Sequence, residues 1–175
     1  MRNLLILFFA ALFLAACNVK TIPIKGSYLK PPYVLTTSSP FENVWDKLID
    51  LFAQKGLPIR IIDKSSGLIT SDRAILQTTI ETKEGKLKDP AAFIVIPQIY
   101  DPGSRKYSPI SKYADVSGEW NVRVKQSDGQ TTINVNIVNV RYQSWDAYHK
   151  VNRDLILSEY QSTGVFEKLI AEKIK

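Results

Sequence analysis

The stretch GEWNVRVKQSDGQTTINVNIVNVRY, residues 118–142, decides how the rest of the chain is read. Trp120, Val122 and Val124 alternate with Asn121, Arg123 and Lys125, and Ile133, Val135 and Ile137 alternate with Asn134 and Asn136. A period of two sends successive side chains to opposite faces, so each run reads as a strand with one face on a core and one face wet. Asp128-Gly129 between them suits the two positive φ angles of a type I′ turn, which closes a hairpin. The apolar phase slips at Val138 and Val140, the mark of a bulge or of an end where both faces are covered.

Upstream of this hairpin the period changes to that of a helix. Ser39, Pro40 and Glu42 form a Ser-x-x-Glu capping box with proline at N1, where its missing N–H costs nothing. Phe41, Val44, Trp45, Leu48, Leu51 and Phe52 then make one apolar stripe, with Asp46, Lys47 and Asp50 opposite and Gly56 as the C′ residue. Trp45 and Phe52 on such a stripe read as core, with the lining of a ligand cavity as the alternative. Leu57 to Asp63, a Lys64-Ser65-Ser66-Gly67 turn and Leu68 to Ser71 give a second hairpin. A strand is expected over Ala74 to Thr82 and another over Phe93 to Gln98, whereas Tyr100 to Tyr113 shows no period. Ser144 to Tyr160 reads as partly helical, and Val165, Phe166, Leu169, Ile170 and Ile174 as a closing amphipathic helix, with Glu167 early and Lys173 late in accord with the macrodipole. The order implies an α+β layer in which an antiparallel sheet wraps around an N-terminal and a C-terminal helix.

The composition excludes several chemistries. The 175 residues are 45% hydrophobic and 23% charged, enough for one stable domain without staples. One Cys permits no internal disulfide or Cys-rich zinc site, and one His supplies too few nitrogen ligands for a typical catalytic zinc. No metal or cofactor is expected. The chain carries no P-loop, no Gly-x-Gly-x-x-Gly and no Gly-x-Ser-x-Gly. Asp46 and Asp50 read as solvated carboxylates, because acid–base catalysis needs two groups in divergent environments. His149 has Asp146 three residues before it but no nucleophile motif, so no catalytic residue is assigned and the chain reads as non-enzymatic.

Near the amino terminus, Arg2 precedes an apolar run from Leu4 to Ala16, too short for the ~20 residues of a membrane span but suited to a signal peptide. Leu14-Ala15-Ala16-Cys17 resembles the lipobox of bacterial lipoproteins, which implies lipid attachment at Cys17; the alternative is a secreted chain with a chance cysteine. Residues 1–16 are then a leader, and the mature chain keeps 22 basic against 17 acidic side chains. Asn18, where the lipoprotein pattern places Asp for inner-membrane retention, implies the outer membrane, facing the periplasm. Residues 17–39, with Pro23, Pro31, Pro32 and Gly26, read as a lipid-anchored tether; extended, at about 3.1 Å per residue, it spans on the order of 70 Å. The other reading is that Ile22, Ile24, Tyr28 and Tyr33 dock as an extended strand. Residues 40–175 form the single domain.

Phe41-x-x-Val44-Trp45, Gly56, Ile62-Asp63, Gly67-Leu68-Ile69, Val122-x-Val124 with Asp128-Gly129, and Thr163-Gly164-x-x-Glu167 resemble the helix-grip domains of BamC-like lipoproteins. That resemblance covers most of residues 40–175. It implies a non-catalytic envelope module that binds protein in outer-membrane assembly or maintenance, although this chain holds one such domain where BamC holds two. A carrier closing over a lipid or other apolar molecule is the alternative. The candidate binding surface is Tyr100, Arg105, Lys106, Tyr107, Lys112 and Tyr113, which combine stacking faces with positive charge; the plainer reading is tyrosines that cap the sheet. Single-stranded nucleic acid fits the same chemistry, but export argues against it, and the expected partners are the membrane, through the lipid, and an envelope protein.

Overall fold

A computed structural model describes residues 21–29, 32–101, 106–108, 114–146 and 151–175. The long hairpin is its spine. Strands β10 (Ala114–Ser127) and β11 (Gln130–Asp146) pair antiparallel, and the Asp128-Gly129 turn has φ angles of 52° and 75°. The register shifts between Ser117 and Glu119, and Asn139 opposite adopts φ 55°, so the phase slip seen in the sequence is a bulge. On one side of β10 lie β4 (Leu68–Ser71) and then β3 (Ile59–Asp63); β5 (Ala74–Ile75) also pairs with β10. The far edge of β11 is shared by β2 (Tyr33–Thr37) and β12 (Val151–Ile156), which completes a seven-stranded sheet.

Two small sheets flank it. One orders β1 (Thr21–Ile22), β8 (Gln98–Asp101) and β9 (Lys106–Ser108); the other orders β13 (Gln161–Ser162), β7 (Ile94–Val95) and β6 (Thr78–Thr79), with β6 and β7 parallel. The only two helices among the described residues are α1 (Phe41–Gln54) and α2 (Val165–Ile174).

The core follows from the strand registers. Ile62, Ile69, Val122, Val135 and Tyr33 form one cross-strand row, and Trp120–Ile137 and Val124–Ile133–Leu35 lie on the same face. The apolar stripe of α1 and the Phe166, Ile170 and Ile174 side of α2 bury against that face. At its centre the rings of Trp120 and Phe166 lie 3.8 Å apart between centroids, with Phe93 at 5.9 Å from Trp120 and Phe52 at 6.3 Å from Phe166. The space between sheet and α2, where a carried apolar ligand would sit, is filled by these rings.

Several expectations are corrected. The protein is mostly β, with multi-strand sheets, rather than an α+β fold in which one antiparallel sheet wraps around an N-terminal and a C-terminal helix. Two strands precede α1, and the helices are single-layer cover of 14 and 10 residues. The capping box does not form: Pro40 occupies the N-cap position without a side-chain bond, and Thr131 Oγ1 donates to the Ser39 carbonyl at 2.7 Å. The Phe41 N–H donates to Gln126 Oε1 of β10 at 3.4 Å, so a distant side chain takes one of the first-turn donors that a local cap would satisfy. The C-terminal signal behaves as expected, with Gly56 at φ 62° and Leu57 N–H donating to the Phe52 carbonyl. Residues 151–156, expected to be partly helical, are a strand, because pairing with residues 141–146 of β11 outweighs the helical spacing of their apolar residues. The strand expected over Ala74–Thr82 is divided between β5 and β6, which join different sheets.

The segment expected as a tether is different too. Thr21–Ile22 pair with Ile99 and Gln98, Leu29 bridges Ser162, and Tyr33–Thr37 pair with Val135–Thr131. The described residues from 21 to 37 dock along the domain, as the other reading had it, but as two short strands, β1 and β2, joined by an irregular stretch with one bridge at Leu29. Strand pairing at 21–22 and 33–37, and side-chain acceptors for the N–H groups of Ile24, Lys25, Gly26 and Tyr28 between them, replace the water that a solvated tether would need.

Candidate functional site

Three surfaces carry chemistry. The first is the sequence-predicted aromatic and basic surface. Tyr100 and Tyr107 stand directly opposite each other on β8 and β9, and Lys106 pairs with Asp101 in the same register. The structure thus brings Tyr100, Lys106 and Tyr107 onto one hairpin where an unpatterned loop was expected. Arg105, Lys112 and Tyr113 lie outside the described residues, as do Cys17 and His149. Asp46 and Asp50 are exposed on α1, as solvated carboxylates are.

The second surface is the free edge of the large sheet. Among the described residues β3 is the last strand on its side, and its backbone has an open hydrogen-bonding edge. Two consecutive apolar residues sit there, Ile61 44% exposed on the wet face and Ile62 56% exposed at the rim of the core face. The ends of this window are guarded. Arg60 is the extra residue of a bulge between Ile59 and Ile61, and its guanidinium reaches Glu119 Oε2 at 3.3 Å. Glu119, buried at the bend of β10, also accepts from Arg73 at 3.3 Å and Asn139 Nδ2 at 3.2 Å. At the other end Asp63 accepts from the hydroxyls and backbone N–H groups of Ser65 and Ser66, with the Ser65 hydroxyl foremost, which pushes its carboxyl down to about 2.

The third is the docked amino-terminal segment. Glu81 is 7% exposed, and its carboxylate accepts from the backbone N–H of Lys25 at 2.5 Å, that of Gly26 at 2.6 Å and the Tyr28 hydroxyl at 2.8 Å. Burial alone disfavours the charge, but the Lys25 N–H, the Tyr28 hydroxyl and the Gly26 N–H outweigh it and hold the Glu81 carboxyl below its ordinary value. Burial first, and the carboxylate beside it second, push the Tyr28 phenol up to about 12. A Cβ on residue 26 would lie 2.5 Å from Glu81 Oε1 and 2.8 Å from the Tyr28 ring, so glycine is what lets the backbone approach. Glu159 accepts the Ile24 N–H and Gln161 the Tyr28 N–H, both at 3.1 Å.

Neither the edge window nor Glu81 was singled out from the sequence. The adjacent pair Ile61-Ile62 breaks the alternation of its strand, so one of the two had to face outward, which is a usable signal. Glu81 has none, because its partners lie more than 50 residues away. Among the described residues no group of three or more His, Cys, Asp or Glu side chains could hold a metal ion, and no helix is long and apolar enough to cross a membrane.

No protein-family model matches the chain, and no curated protein matches it.

Proposed function

We propose that the chain is a lipid-anchored, non-enzymatic envelope protein that binds a protein partner as an accessory in outer-membrane assembly or maintenance. The anchor is Cys17, through the Leu14-Ala15-Ala16-Cys17 pattern, and the outer-membrane role comes from the resemblance to BamC-like lipoproteins in the motifs quoted above. The observation that carries protein binding is the open edge of β3 with Ile61 and Ile62 half exposed on opposite faces. An extended segment of a partner adds there as a strand, its backbone completing the ladder and its side chains covering the two isoleucines.

The magnitude fits a transient contact. Burying the exposed halves of two isoleucines contributes about 2 kcal/mol, while micromolar affinity needs about 8 kcal/mol. The remainder falls to ladder hydrogen bonds and to flanking contacts. The membrane anchor concentrates both partners on one surface, so a weak edge contact is sufficient.

A photo-crosslinking residue at position 62 in intact cells tests this. The expected result is a reproducible adduct with one envelope protein, absent when the probe stands at Lys125 and diminished at least fivefold by Ile61→Lys. Equal labelling at positions 62 and 125, or none at either, refutes the edge as the binding surface.

A further inference from the structure

The docked amino-terminal segment sets how far the folded body stands from its lipid. Three residues separate Cys17 from Thr21, four steps along the chain. Whatever their conformation, a chain reaches at most ~3.6 Å per residue, so Thr21 lies within about 14 Å of the cysteine. Thr21 is itself fixed. It pairs with Ile99, and the residues after it are held by Glu81, Glu159, Gln161 and Ser162. The slack that a free 17–39 segment would offer is taken up by the sheet.

The surface around Thr21 has the composition of a membrane contact. Thr21, Ile99, Leu155 and Ile156 all line a groove of about 250 Å³, and Ile156 is 72% exposed. The adjoining groove is lined by Pro23, Lys25 and Lys83, all exposed. Two carboxylates nearby are turned to protein donors, Glu81 to three of them and Glu159 to the Ile24 N–H, and Glu84 is the exposed acid beside Lys83. Lysine stems of this kind lay their methylenes on apolar surface and place the ammonium at phosphate depth.

We propose that this face, with Ile156 and Pro23 as its apolar contacts and Lys25 and Lys83 as its phosphate contacts, rests directly on the bilayer that holds the lipid. The proposal depends on the Cys17 anchor put forward above. The occupant is the membrane rather than a protein, because Thr21, which lines this groove with Ile156, lies within about 14 Å of the acyl attachment point, so the face beside it meets the bilayer first. One isoleucine and two lysines bind a bilayer weakly when alone, and the covalent lipid converts that weak contact into an intramolecular one. The far end of the domain then points away. Ile156 pairs with Arg141, and Lys125 lies opposite Thr132 on the same β11, nine residues along, which is about 30 Å at 3.3 Å per residue. The open edge of β3 shares a sheet with that distal hairpin.

The test uses the full lipidated chain in vesicles of phosphatidylethanolamine and phosphatidylglycerol carrying brominated acyl chains. The single native cysteine is consumed by the lipid, so a fluorophore placed through Ile156→Cys or Lys125→Cys labels one site. The expected result is at least threefold stronger bromine quenching at position 156 than at position 125. Gly26→Ala, which displaces the Glu81 carboxylate from the docked segment, should reduce the quenching at 156 to that at 125. Glu81→Gln serves as a second route to the same release. Equal quenching at both positions in a chain whose amino-terminal peptide carries lipid overturns the docking and leaves the anchor intact. An amino-terminal peptide with a free thiol overturns both.

Discussion

Replacing Glu81 by alanine removes the acceptor shared by the Lys25 and Gly26 N–H groups and the Tyr28 hydroxyl. Hydrogen bonds to a charged group are each worth about 1.5–3 kcal/mol when buried. Two corrections lower the sum. The freed groups can turn to water once the segment lifts, and alanine spares the cost of desolvating the carboxylate. The net loss is then about 2–3 kcal/mol for local opening of residues 21–29, and one factor of ten corresponds to about 1.4 kcal/mol. Amide exchange at Leu29 and Ser162, which bond each other's carbonyls across the bridge, should therefore speed up about thirty- to a hundredfold. The Val124 amide, which donates to Gly67 in the core sheet, should change by less than threefold. Acid should act like the mutation. The folded carboxyl lies below its ordinary value, so its stabilisation is complete above the unfolded pKa of about 4.3 and is lost as pH falls through the folded value. If Leu29 and Ser162 kept their protection in Glu81→Ala, the segment would be held by its strand pairing alone, and the assignment of Glu81 as its clamp would be wrong.

Other predictions concern the fold. Phe166→Ala should cost about 3–5 kcal/mol in urea unfolding, because the ring is fully buried between Trp120, Phe93 and Phe52, whereas Ile156→Ala at its exposed site should stay within about 0.5 kcal/mol. Similar midpoints for the two variants would contradict the core described. Gly67→Ala and Gly129→Ala both place a side chain at positive φ, worth about 1–2 kcal/mol each. Only residue 67 would also drive a Cβ to 1.9 Å from the Val124 carbonyl oxygen, so its variant should be the more destabilised by at least 2 kcal/mol or fail to fold. Equal losses for the two glycines would show that the Gly67–Val124 approach is not fixed.

The parts of the fold legible in the sequence are those whose signals are local. The stripe of α1, the Gly56 stop, both hairpins with their Gly67 and Asp128-Gly129 turns, and the bulge near Val138 and Val140 all follow from periods and turn residues a few positions apart. What was not legible depends on distant partners. Strands of two residues such as β5, β6 and β7 are too short to show a period, and which sheet each joins is decided elsewhere in the chain. Leu155 follows Val151 by four residues, a spacing that suits a helix, yet β11 extends far enough to capture the segment as a strand. The proline-bearing segment before α1 has tether composition, and its docking comes from Glu81, Glu159 and Ser162, which its own residues do not announce. The site divides in the same way: Tyr100, Lys106 and Tyr107 could be named for their chemistry but not for their hairpin pairing, and Ile61-Ile62 is an edge because β3 is the last strand on its side among the described residues.

The proposed function requires a folded body fastened at Cys17 to the membrane on which it works. The most direct measurement is the mass of the amino-terminal peptide released by protease from the protein purified out of its native envelope. A peptide beginning at Cys17 and heavier by a thioether-linked diacylglycerol is the predicted result. A peptide of unmodified mass, with its thiol free to alkylate, would contradict the anchor and everything built on its nearness.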